Sequence, residues 1–204
     1  MKKEVLDAIN YVKEKAYDIS LSKLAEYVKL AKREKSSELC YELCCLPDAI
    51  RELEEKQFAK KLAKNAKYGG KKHHIRNDLA KVVYKVGDPE WVYRFANEFQ
   101  QYVNVPKFLK VILDKKDAYY AAEFDRDILS ADLKKNEKLR EQVFDLVYST
   151  KNADMARKFL TENDYTDKQK LQLFSIIGRE TRQKKSEERR RETETTTIAS
   201  VKEL

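Results

Sequence analysis

Apolar side chains recur along the chain at intervals of three, four and seven residues, the spacing that gathers them on one helical face. Four stretches repeat this pattern behind a helix-start signal: 36–44, 88–96, 117–125 and 152–160. Each opens with a side chain suited to accept a hydrogen bond from the first unpaired amides of a helix, namely Ser36, Asp88, Asp117 and Asn152. Three residues on come Leu39, Trp91, Tyr120 and Met155; at four, Cys40, Val92, Ala121 and Ala156; at seven, Leu43, Phe95, Phe124 and Phe159. Asp88-Pro89-Glu90 adds a second signal, because proline at the first helical position forfeits no bond and an acid there suits the helix dipole.

The capping residues are 52, 29 and 35 positions apart, and the last two intervals suit two short helices with their turns. Partner helices are predicted over 106–115, with Phe108, Leu109 and Ile112, and over 131–148, with Leu139, Val143, Phe144 and Val147. Thr166-Asp167-Lys168-Gln169 reads as a capping box for a helix bearing Leu171, Phe174, Ile176 and Ile177 and closed by Gly178. An earlier pair over 3–17 and 21–33, striped by Val5, Ile9, Val12 and by Leu24, Val28, Ala31, would cap the N-terminal end. Such pairs bury their apolar faces by stacking on their neighbours, which predicts an all-α chain of stacked helix pairs forming a short solenoid.

The run Asp88-Pro89-Glu90-Trp91-Val92-Tyr93-Arg94-Phe95-Ala96, together with 117–124, resembles the short HEAT-like helical repeats of bacterial and phage proteins. The resemblance extends over about 36–178 and implies a binding surface rather than a reaction, without naming a partner. The 52-residue first interval stands against it, and a plain helical bundle with coincidental caps is the competing architecture.

Composition narrows the class. The chain has 204 residues, of which 42% are hydrophobic and 38% charged, and only 4 Gly and 3 Pro. That is too few turn-formers for a β-sandwich or for the glycine-rich loops of most nucleotide-binding α/β enzymes. No apolar run approaches the roughly 18 residues of a spanning helix, and the start Met1-Lys2-Lys3-Glu4-Val5 lacks a signal-peptide core, so a cytoplasmic protein without a membrane partner is expected. Cys40, Cys44 and Cys45 are odd in number and clustered, which predicts reduced thiols. One helical-repeat domain is expected over 1–178, followed by a charged tail over 179–204, either a helical extension or disordered.

Charge is distributed unevenly. Residues 56–85 hold ten cations against one anion, Asp78, a net +9; with the whole chain at +8, the remainder sums to −1. The paired Gly69 and Gly70 should end one helix, over 48–67, and turn the chain into the next, over 76–86. A basic helical hairpin is therefore expected as an insertion over 56–85, binding a polyanion such as RNA or DNA through its backbone. The candidate residues are Lys60, Lys61, Lys64, Lys67, Lys71, Lys72 and Arg76 for phosphate, with Tyr68, His73 or His74 for stacking on a base. The same charge would serve an acidic protein surface. Lysines at a helix C-terminus can also merely complement its dipole, although that leaves the continuation to Lys85 unexplained. A protein-protein adaptor or inhibitor using the repeat surface and tail is the alternative function.

Candidate chemistry is sparse, and no cofactor or enzymatic activity is expected. Cys40 and Cys44 lie one helical turn apart and would need His73 or His74 to make a zinc site, but Cys40 falls on a core position of the repeat and lysines crowd the histidines. No nucleophile elbow, Walker loop, dinucleotide fingerprint or His-Glu-x-x-His helix occurs. Glu123, Asp125 and Asp127 read as solvated helix surface, and Trp91, Tyr93, Tyr119 and Tyr120 as core packing. Thr195 to Val201 has strand propensity and could pair with another chain's sheet edge.

Overall fold

A computed structural model describes residues 2–16, 18–64 and 74–202, with side chains described except at 61–64, 190 and 192–202. Most helices begin where a polar side chain meets their free amides. Ser36 accepts from the Leu39 amide at 3.2 Å, Asp117 from Tyr120 at 3.1 Å and Asn152 from Met155 at 2.9 Å. Asp88 caps two amides, those of Glu90 and Trp91, at 3.0 and 3.4 Å. The residue just before each of these four caps is left-handed: Lys35, Gly87, Lys116 and Lys151, with φ of 52°, 69°, 55° and 54°. One turn geometry, an αL residue followed by a capping residue, thus occurs at all four places that the sequence aligns.

Among the described residues the chain is all helix. The helices are α1 (Lys3–Glu14), α2 (Leu21–Glu34), α3 (Ser37–Cys44), α4 (Pro47–Lys64), α5 (Ile75–Val86), α6 (Pro89–Glu98), α7 (Val105–Asp114), α8 (Ala118–Asp127), α9 (Leu133–Ser149), α10 (Ala153–Glu162) and α11 (Asp167–Lys202). Short 3-10 turns at Gln100–Tyr102 and Leu129–Asp132 precede α7 and α9. The chain forms two compact units, Met1–Tyr120 and Ala121–Leu204, and the boundary falls inside α8.

In the first unit α3 packs on α5 and α6 on α7, while α4 lies against α2. In sequence, α4 and the residues after it lie between α3 and α5, two helices that pack on one another. The positions four and seven residues after Ser36 and Asp88, namely Cys40, Leu43, Val92 and Phe95, are fully buried. Each large apolar side chain so placed contributes about 1.5–3 kcal/mol. Gly87 sits close under the next layer: a Cβ there would stand 3.3 Å from Val111 Cγ1, and its left-handed φ is one that L side chains adopt only at a cost.

In the second unit α10 packs on α11, with α9 alongside, around Phe124, Leu129, Val143, Phe159 and Leu173. The capping box forms as the sequence predicts: the Gln169 amide donates to Thr166 Oγ1 at 3.3 Å, and the Thr166 amide donates back to Gln169 Oε1 at 2.9 Å. The expected stop at Gly178 does not occur, and α11 continues through it to Lys202, taking in the Thr195–Val201 stretch read as strand-prone. Glycine inside a helix costs only about 1 kcal/mol. Glu180, bonded at 2.6 Å to both Arg157 of α10 and Lys184, holds the helix beyond it.

Candidate polyanion-binding surface

The basic segment runs from the second half of α4 to the end of α5. On α4, Lys56 and Lys60 are exposed; Lys61 and Lys64 continue the helix. Lys67, Tyr68, Lys71, Lys72 and His73 lie outside the described residues.

The start of α5 is clamped by a residue the sequence analysis did not single out. Glu54 of α4, 8% exposed, accepts from the Ile75 amide at 2.6 Å and faces His74 Nδ1 at 3.3 Å. His74 occupies the capping position of α5 without a side-chain cap bond, so a carboxylate twenty residues upstream meets the first free amide and the positive helix end. The only sequence signal was a negative one, a helix start with no capping side chain at its head.

Arg76 turns inward. Its guanidinium donates to Tyr102 Oη at 3.0 Å and to the Cys44 carbonyl at 3.4 Å, and lies 5.3 Å from the Tyr102 ring centroid. It thus ties α5 to the carbonyl end of α3, where a cation complements the helix dipole. Its Nε is buried without a partner. The exposed cations of α5 are instead Lys81 and Lys85. Asp78, the one acid in the segment, accepts from Lys32 at 2.5 Å and lies 3.5 Å from Lys81. Lys56, Lys60 and Lys85 hold no ion pair among the described residues.

The cysteines sit in the same unit. Cys40 and Cys44 are buried and Cys45 is exposed, all three as free thiols. Burial pushes the Cys40 thiol up to about 12 and Cys45 up to about 11, and Cys44 also lies well above the ordinary range, so none is a ready thiolate. Among the described residues, no group of three or more His, Cys, Asp or Glu side chains could hold a metal ion, and no helix is long and apolar enough to cross a membrane.

The second unit overturns the solvated reading of the α8 carboxylates. Asp125 is fully buried, accepting from Arg140 Nε at 2.6 Å and from Asn163 Nδ2 at 3.0 Å. Glu123, 6% exposed, meets Lys158 at 2.8 Å and Arg126, which also reaches Glu162 and Asp127. Their cations come from α9 and α10 or from the next helical turn, which offsets the cost of leaving water. Beside this network, between α9 and the start of α11, a cleft of about 650 Å³ is lined by Leu133, Arg140, Phe144 and Tyr165 among others. Arg140 is already held by Asp125 and the Asp164 carbonyl, and burial holds the Tyr165 hydroxyl protonated, so neither supplies a base or a nucleophile.

The aromatic positions divide. Trp91, Tyr93 and Tyr120 are half-buried, whereas Tyr119 is 41% exposed, against the expectation that all four pack in the core. No family model, curated protein or solved structure matches this chain.

Proposed function

We propose that the chain is a non-enzymatic binding protein that recognises a polyanion, the backbone of a nucleic acid, through the basic helical hairpin at 56–85, on a frame of short HEAT-like helix pairs. The observation that carries this reading is the concentration of unneutralised cations. The segment's one acid is already paired, and Lys56, Lys60 and Lys85 stand exposed without acid partners among the described residues. The repeat frame is supported by the four identical αL-cap turns and by the pairs α3 with α5, α6 with α7 and α10 with α11. Treating α4 as an insertion removes the irregular spacing.

The test is fluorescence anisotropy against single-stranded RNA, duplex RNA and duplex DNA over a salt series. The variant changes Lys64, Lys67, Lys71 and Lys72 to Ser and spares Arg76, whose loss would open the fold. For duplex DNA, each lost phosphate contact should flatten the log-log salt slope by about 0.9. Absence of binding at about 50 mM salt, below physiological ionic strength, would refute the reading.

An adaptor function has its own support. Leu171 and Phe174 stand 69% and 55% exposed, one helical turn apart on α11. Binding of a protein partner that survives the lysine changes and is lost in Leu171→Ser with Phe174→Ser would favour it.

A further inference from the structure

We propose that the basic surface extends along α5 to Tyr84, and that Tyr84 is a stacking platform for an unpaired base, so that the polyanion is a single-stranded nucleic acid. The inference rests on the polyanion reading and specifies its ligand. Tyr84 is 40% exposed, and its ring is backed by Phe108, with centroids 5.9 Å apart and planes inclined 35°. A ring supported from behind and open to water presents a fixed aromatic surface at little entropic cost.

Cations surround that surface. Lys81 and Lys85 lie one helical turn before Tyr84 and immediately after it on α5, and both are exposed. On α7, whose Phe108 backs the ring, Lys110 is exposed and paired to Asp114 at 2.8 Å, and Lys115 follows at the end of that helix. Gly87 permits this juxtaposition. A Cβ there would stand 3.3 Å from Val111 Cγ1 and 4.0 Å from the Lys115 Cε, so α7 lies close against the end of α5 and the missing side chain eases the approach. The local acids Asp78 and Asp114 are paired to Lys32 and Lys110, leaving Lys85 and Lys115 free of acid partners among the described residues.

Interleaved lysines and an open aromatic ring match the chemistry of a single strand, whose phosphates and base faces are both accessible. A duplex hides its base faces by stacking, and an acidic protein offers carboxylates but no nucleobase to cover the ring. From Lys85 the exposed cations continue back along α5 to Lys81, about 6 Å over four residues.

The experiment compares wild type, Tyr84→Leu and Tyr84→Phe in the full chain. It titrates labelled 20-nucleotide oligo-uridine, a 20-base-pair duplex, and poly-glutamate over a salt series. Tyr84→Leu should weaken oligo-uridine binding by about 5- to 150-fold, the range for one lost stacked base. Its salt slope should not change, and Tyr84→Phe should bind within about two-fold of wild type. Lys85→Ser with Lys115→Ser should instead flatten the slope, by about 0.7 per phosphate contact for a single strand. Equal oligo-uridine affinity for wild type and Tyr84→Leu, with salt-sensitive binding intact, overturns this inference alone. So does wild-type binding that prefers the duplex. Binding to poly-glutamate only, or to nothing, overturns the nucleic-acid reading with it.

Discussion

Three lysines hold the left-handed conformation that glycine holds in the equivalent turn, at Lys35, Lys116 and Lys151. Replacing such a lysine by glycine removes the clash of Cβ with the following carbonyl oxygen, about 1–2 kcal/mol for an L-residue. Against this, glycine gives the unfolded chain more freedom, about 0.4–1 kcal/mol. Lys35→Gly and Lys116→Gly should therefore each stabilise the first unit by about 0.5–1 kcal/mol, since neither ammonium holds an ion pair among the described residues. Lys151 differs, because its ammonium lies 3.2 Å from the Tyr148 ring centroid. That contact is worth about 0.5–1 kcal/mol at an exposed site, so Lys151→Gly should be close to neutral. The converse holds at Gly87, where alanine would meet both the conformational cost and Val111 at 3.3 Å. Gly87→Ala should lose about 1–2 kcal/mol. Urea unfolding with an unchanged m-value measures all four. If Lys35→Gly and Lys116→Gly destabilise the protein, or Lys151→Gly gains as much as they do, the lysine side chains and not the backbone conformation decide these turns.

Three further outcomes are expected. Asp125→Ala removes the carboxylate from Arg140, only 16% exposed, and leaves Asn163 Nδ2 with the Ala122 carbonyl alone, and should cost about 3–5 kcal/mol; a loss below about 1 kcal/mol in urea unfolding would contradict the buried network. Glu54→Ala removes the acceptor of the Ile75 amide and should cost about 1–3 kcal/mol, read as faster hydrogen exchange at Ile75; Glu54→Gln, which retains an acceptor oxygen, should lose less. The Cys40 thiol rises from 9.0 to about 12 through burial, so its neutral form contributes stability that is complete below pH 9 and lost as the pH climbs toward 12. Cys40→Ala should make the alkaline limb of a thermal-stability profile shallower, and an unchanged limb would assign it to other groups.

The caps and the buried stripe were legible in sequence because both are local. A capping oxygen reaches amides two or three residues on, and residues four and seven beyond it share its helical face. Ser36, Asp88, Asp117 and Asn152 all cap, and Phe95, Phe124 and Phe159 are all fully buried. The left-handed lysines were not legible, since glycine is the residue that advertises that conformation. Nor was the end of α11, because Glu180 is held by Arg157 from another helix.

The sequence by itself determined that the chain is helical, where most helices begin, and that positive charge gathers at 56–85. Tertiary structure decided which charges remain for a ligand. Arg76 finds its partners 26 and 32 residues away, Asp125 finds Arg140 and Asn163 at 15 and 38, and His74 meets Glu54 at 20. A charged side chain leaves water only where folding brings a partner within bonding distance to offset its desolvation. No periodicity in the sequence encodes that meeting, so Arg76 turned inward while Lys85, with no acid beside it, stayed at the surface.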